Sequence, residues 1–202
     1  IDHTVRAVTN TPGVAGVLVV VSPSDEEMRS TRPQVQVAHV GGDSRAASVA
    51  GGLGALQALG VRPQDWVMVH DAARCLITPE LIAQLLHACQ TDAVGGLLAV
   101  PVPDTLKASD AQPTAPRVAR TIERAHTWQA QTPQMFTWGL LNQALVRAAG
   151  NAYVGITDEA SAVERLGLSP LLVSGSTHNF KVTYPEDFAL ASAVLAQRGV
   201  QP

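Results

Sequence analysis

Short runs of β-branched and other apolar residues recur along this chain with amphipathic segments between them, and this alternation restricts the fold more than any other feature. The runs "VAGVLVVV" (14–21), "VQVAHV" (35–40), "DWVMVH" (65–70), "GGLLAVPV" (95–102) and "LLVSG" (171–175) are predicted strands. Their Val and Leu continue with little polar alternation, as in strands covered on both faces, so the expected fold is α/β with a mostly parallel sheet between helices. Helices are predicted over 44–59, 78–90, 137–150, 157–167 and 183–199, and the opening "IDHTVRAVTNTPG" reads as another. Thr78 stands as N-cap with Pro79 in the first turn, and Thr157 precedes two acids that suit a helix N-terminus. Thr183 and Glu186 have capping-box spacing, and Gly199 is the expected stop.

The chain has 202 residues, 46% hydrophobic and 15% charged. That is enough for one sizeable core and short for two, so residues 1–202 are read as one domain. A formal net charge of -3 provides no broad cationic field, which disfavours duplex DNA and anionic membrane surfaces as partners. No apolar run approaches the roughly 20 residues of a membrane helix, and "IDHTVRAV" lacks the regions of a secretory signal, so a cytoplasmic protein is expected. Cys75 and Cys89 lack CxxC spacing and are expected as reduced thiols. Trp66, Trp128 and Trp138 are too scattered for a base-stacking platform and suit packing.

Between about 103 and 136 the pattern breaks at Pro103, Pro113, Pro116 and Pro133. Within it "RVARTIER" alternates like a strand with one wet face, which points to a β-hairpin or arm projecting from the sheet.

The chemistry-bearing residues fall where predicted strands end, the place at which open α/β sheets bind ligands. In "HVGGDSRAASV", Gly41 and Gly42 allow close backbone approach, and Asp43 or Ser44 can cap a helix whose free N–H groups suit an anion. An ordinary capped βα turn gives the same pattern. In "VMVHDAARCLITPE", Asp71 follows a strand and is flanked by Ala72 and Ala73, which leave room for a bulky ligand. A lone carboxylate there suits Mg²⁺, which takes one or two carboxylates beside phosphate oxygens and water; pairing with Arg74 or capping a turn is the alternative. His70 reads as a packed strand residue, and the histidines and cysteines have no zinc-ligand spacing. Arg117, Arg120, Arg124 and Thr132 give the arm groups suited to a phosphate, or simply a solvated face. Lys181 lies at the mouth of a short strand, where an isolated lysine is ordinarily a surface residue.

Taken in order, "GGDSRAASV", "VHDAAR", "PVPDTLK", "TIERAHTWQAQTPQ", "TDEAS" and "NFKVTYPED" resemble the motif series of the 2-C-methyl-D-erythritol 4-phosphate cytidylyltransferases, over nearly the whole chain. The resemblance implies a Rossmann-like nucleotidyltransferase fold with a projecting β-arm, and a homodimer whose arms interlock. It implies cytidylyl transfer from CTP to methylerythritol phosphate, releasing pyrophosphate, in non-mevalonate isoprenoid synthesis. Asp71 would then hold Mg²⁺ on the triphosphate with Ala72 leaving space beside the nucleotide. Gly42, Asp43 and Ser48 would line the cytidine pocket. Thr105, Arg124, Thr132 and Thr157 would hold the methylerythritol phosphate, with Arg124 reaching into the other subunit's site. Lys181 would lie near the reacting phosphates, and Arg45 and Arg74 would form supporting ion pairs.

The chain departs from the family pattern in two places. The family's first strand, Gly-rich loop and Pro-Lys pair are not in this sequence, so a segment ahead of residue 1 is expected. Cys75 stands where the family usually has proline. The competing readings are a pentitol phosphate cytidylyltransferase using ribitol 5-phosphate, a non-catalytic phosphate-binding module, and an NAD-binding Rossmann protein, the last opposed by the lack of GxGxxG.

Overall fold

The computed structural model describes residues 1–29, 32–110 and 114–199, so residues 111–113 of the predicted arm lie outside the described residues. The elements in chain order are α1 (Asp2–Thr9), β1 (Val17–Val20), β2 (Val35–Ala38), α2 (Arg45–Ala58), β3 (Trp66–Val69), α3 (Pro79–Cys89) and β4 (Gly96–Pro101). They continue with β5 (Leu106–Ser109), β6 (Val118–Ile122), β7 (Trp128–Thr137), α4 (Trp138–Ala149), α5 (Glu159–Glu164), β8 (Leu171–Ser174) and α6 (Pro185–Gln197). Every predicted apolar run contains a strand, and every predicted helix is present.

The strands form three sheets among the described residues: β1 with β2, the central order β3-β7-β4-β8, and β5 with β6. The expectation of a mostly parallel sheet needs correcting here. β1 and β2 are parallel, as are β4 and β8, but β7 runs antiparallel to both β3 and β4 between which it lies. The central sheet is therefore mixed. β7 escapes a hydropathy reading because "WQAQTPQMFT" carries three glutamines and Pro133. The β4–β7 register shifts between Leu97 and Ala99, opposite 131–133, and such an irregularity tolerates a proline that lacks a ladder donor.

Period-two alternation in the central strands separates two apolar faces. Val67, Leu97 and Phe136 face α2, α4 and α5 through Leu53, Leu141, Leu145 and Val163. Leu98, Met135 and Val173 face α1 and α3 through Ala7, Ile82, Leu85 and Cys89. Helices thus cover both sides of the sheet, which is why β4 reads as an unbroken apolar run. A third cluster packs α6 through Ala191, Val194 and Leu195 onto Leu76 in the segment after β3.

Local capping follows the sequence closely, with two adjustments. Thr78 accepts from the Leu81 N–H, with Pro79 in the first turn, and Ser44 rather than Asp43 caps α2 by accepting from Ala47. At α6 the cap lies one residue further on than expected. Asp187, not Glu186, reaches back to accept from the N–H groups of Thr183 and Tyr184.

Candidate active site

Three loops at the carboxyl ends of strands supply the site. The loop after β2 is held by its own polar groups: Ser48 Oγ accepts from Gly42 N at 3.1 Å and donates to the Ser44 carbonyl at 2.9 Å. A Cβ on Gly42 would stand 2.7 Å from Ala47 Cβ, so this turn needs glycine for space. Asp43 is exposed at its tip. Ser48 therefore closes the turn around Gly42.

The loop after β3 carries Asp71, which is tied by both carboxylate oxygens and by its main chain. Its Oδ1 accepts from Arg45 Nε at 2.9 Å and its Oδ2 pairs with Lys181 Nζ at 3.1 Å, while its N–H donates to Thr132 Oγ1 at 3.0 Å. Burial works to raise the Asp71 carboxyl, but Arg45 and Lys181 outweigh it and hold the group below the ordinary carboxylate range. Asp71 is therefore ionised at neutral pH. The predicted partner Arg74 is engaged elsewhere, donating to the carbonyls of Asn179 and Ala130. Ala72 is exposed beside Asp71, and its carbonyl accepts from Thr4.

His70 is a satisfied strand-end residue, as its sequence context suggests. Its Nε2 lies 3.1 Å from the Arg74 carbonyl and so donates, which leaves Nδ1 to accept from Thr132 Oγ1 at 3.0 Å. Burial pulls its pKa down to about 4, so it is neutral. Thr132 is 4% exposed, and its hydroxyl donates to His70 while accepting from Asp71. Lys181 reaches the cluster because the segment before α6 is tied to the Asp71 loop, with Val182 N donating to the Ala73 carbonyl.

Glu159 is the important residue that sequence reading does not single out. It is 1% exposed, and its two oxygens accept from Arg45 Nη1 at 2.6 Å and Nη2 at 3.0 Å. Burial pushes the Glu159 carboxyl up against the pull of Arg45, whereas the Arg45 guanidinium, opposed by burial, is pushed further up by its two carboxylates and stays charged. The only sequence signal was an acid pair at a helix start, which suits an exposed residue equally well.

The remaining predicted residues lie at the margins. Thr157 is exposed just before α5, with its N–H bonded to Ser161 Oγ. Thr105 is exposed immediately before β5, and Arg124 follows β6 with its guanidinium donating to the Pro103 carbonyl. The structure thus gathers Asp71, Thr132, Lys181 and Arg45, and leaves Thr105 and Arg124 on the exposed β5–β6 hairpin.

The family model IspD, 2-C-methyl-D-erythritol 4-phosphate cytidylyltransferase, matches residues 1–197. The chain belongs to this family. It is 52% identical, over 97% of its length, to the 2-C-methyl-D-erythritol 4-phosphate cytidylyltransferase of Chromobacterium violaceum, of which it spans 84%. It is 54% identical to the bifunctional enzyme IspD/IspF of Albidiferax ferrireducens, again over 97% of this chain but spanning 46% of that longer protein. A crystal structure of a 4-diphosphocytidyl-2C-methyl-D-erythritol synthase matches with a TM-score of 0.86 and 40% identity, covering 96% of this chain and 88% of that one. The Thermus thermophilus cytidylyltransferase matches with a TM-score of 0.80 and 32% identity, covering 96% and 87%. For a cytidylyltransferase of this family, the Asp71 cluster is where the sequence motifs and the geometry coincide.

Proposed function

We propose that this chain transfers the cytidylyl group of CTP to 2-C-methyl-D-erythritol 4-phosphate, releasing pyrophosphate, in isoprenoid precursor synthesis. The carrying observation is Asp71 held ionised at the end of β3 between Arg45 and Lys181, inside a family match that spans residues 1–197. We read residues 1–202 as one nucleotidyltransferase unit. Among the described residues no helix is long and apolar enough to cross a membrane, and a cytoplasmic setting suits a pathway with small charged substrates.

Two polyanions must meet, and a phosphate oxygen of the acceptor, already ionised at neutral pH, attacks the α-phosphorus of CTP in line. No general base is required. Catalysis rests on positioning and on screening of charge at the departing pyrophosphate. Lys181, with its side chain 46% exposed on the open side of Asp71, is suited to face those phosphates. Gly42, Asp43, Ser48 and Ala72 are proposed to receive the nucleotide; the small residues and the closed turn leave room for a pyrimidine. Thr105, Arg124 and Thr157 are proposed to hold the acceptor phosphate. Thr132, buried with its hydroxyl donating to His70 and accepting from Asp71, is proposed to serve that half of the site by fixing the Asp71 main chain rather than by direct contact. Arg124 on its exposed hairpin suits an arm that completes the site of a second copy in a homodimer.

The donor set fits Mg²⁺ in one particular way. No three His, Cys, Asp or Glu side chains gather to hold a metal among the described residues, but Asp71 supplies an ionised carboxylate, and Mg²⁺ bound through a nucleotide takes its other ligands from phosphates and water. Asp71 would hold it, and when bound it would supply Lewis-acid stabilisation and a template for the triphosphate.

The test is pyrophosphate release by the full-length protein with CTP, Mg²⁺ and methylerythritol phosphate. Ribitol 5-phosphate and the other nucleoside triphosphates are run in parallel. Release confined to the CTP–methylerythritol pair is expected; equal release with ribitol 5-phosphate would remove the acceptor assignment.

A further inference from the structure

Arg45 presents all three guanidinium nitrogens to carboxylates, two to Glu159 and one to Asp71. A bidentate fork fixes the plane of a guanidinium, and once that plane is fixed the remaining Nε–H has a single direction. That direction leads to Asp71 Oδ1. Glu159 is itself held in place by a buried side chain of β7. Gln134 is 1% exposed, and its Oε1 accepts from the N–H of Ala160 at 2.8 Å, while its Nε2 donates to Asp158, the N-cap of α5. The order of support runs from Gln134 to the start of α5, then through Glu159 and Arg45 to Asp71.

The two cations on Asp71 differ in kind. The side chain of Lys181 is nearly half exposed, whereas Arg45 is locked to a carboxylate whose side chain is 2% exposed. A single exposed ammonium contact leaves Oδ2 open to exchange with another cation, whereas the bidentate pair with Glu159 holds Arg45, and with it the contact to Oδ1, in place.

Resting on the cytidylyltransferase reading above, we infer that Glu159 is a positioning residue: through Arg45 it fixes the orientation in which Asp71 offers its carboxylate to the metal–nucleotide substrate. It also ties the α5 start, beside Thr157, to the α2 start, beside the nucleotide loop, so the two substrate halves are set against each other by one buried contact.

The test uses the full-length protein and four forms: wild type, Glu159→Gln, Arg45→Met, and Arg45→Met combined with Glu159→Leu. Removing one member of a buried pair destabilises, whereas replacing both with apolar side chains of similar size is often neutral. Melting temperature should therefore fall in both single variants and recover in the double. Turnover should fall about 10–100-fold in each single variant, the usual range for partners that orient a metal-binding group, and stay down in the double. Calorimetric affinity for CTP with Mg²⁺ should fall with turnover, while affinity for CTP without metal should hold. With Arg45 already replaced, loss of Glu159 should cost no further turnover. Recovery of turnover together with stability in the double variant would overturn the inference, because Glu159 would then serve only the fold. Unchanged turnover and metal-dependent CTP affinity in folded Glu159→Gln would overturn it as well. A wild type silent with CTP and methylerythritol phosphate would overturn the functional reading and this inference together, which separates that failure from the other two.

Discussion

At residue scale the site is a set of small electrostatic decisions. Asp71 has two cations against one carboxylate, so it resists protonation and can bind a divalent ion without first losing a proton. Asp71→Asn should keep the fold and lower pyrophosphate release about a hundredfold or more, with the Mg²⁺ dependence flattened. An unchanged rate would take Asp71 out of the metal role. His70 offers a prediction on stability. Its folded pKa of about 4 lies below the ordinary 6.5, so between those values the unfolded chain takes up a proton that the native chain does not. Stability is then full above about pH 6.5 and falls as pH drops towards 4, by on the order of 3 kcal/mol. Denaturant midpoints measured across that window should show the slope in wild type and lose it in His70→Gln. Equal slopes would assign the effect to another group.

At the scale of elements, the placing of α2 depends on glycines that ordinary helix propensity would remove. A Cβ on Gly51 would stand 2.4 Å from the Val40 carbonyl, and one on Gly52 would stand 2.9 Å from Val20 Cγ2. The glycines let α2 approach β1 and the end of β2, which sets the nucleotide loop relative to the sheet. Gly51→Val should therefore cost about 1–3 kcal/mol. Gly54, in the same helix, has nothing within 4 Å of its would-be Cβ, so Gly54→Ala should instead gain about 0.5–1 kcal/mol. Urea unfolding of the two variants checks both signs, and a loss at Gly54 would contradict the account. The long strand β7 does a comparable job for the other half of the site, because Thr132 and Gln134 on it orient Asp71 and α5 respectively.

At the scale of the whole molecule, Arg124, just past β6 of the exposed β5–β6 hairpin, is proposed to complete the site of a second copy. Arg124→Ala should raise the KM for methylerythritol phosphate far more than that for CTP. If Arg124 works across a homodimer, mixing and reannealing inactive Asp71→Asn with Arg124→Ala should restore about a quarter of wild-type activity, since half of the dimers would carry one intact site of two. No recovery in mixed dimers would place Arg124 in its own subunit's site. The helices and the apolar strands were readable from the chain because helix and strand periods, caps such as Thr78 and stops such as Gly199 are local properties of neighbouring residues. The motif order, from the glycine turn at 41–42 to Lys181, was readable only through its resemblance to a known family. What only the tertiary structure decided was which partner each element and each charge would find. Residues 128–136 were read as part of the projecting arm, whereas the fold places them in the central strand β7, where the buried Gln131 and Gln134 find partners in Asn179, Asp158 and the backbone. Glu159 looked like an ordinary helix-start acid until the fold buried its carboxylate beneath Arg45, 114 residues earlier in the chain. Periodicity records which face of an element is apolar, but a buried polar group is stable only with its particular partner, and that partner is supplied by the fold.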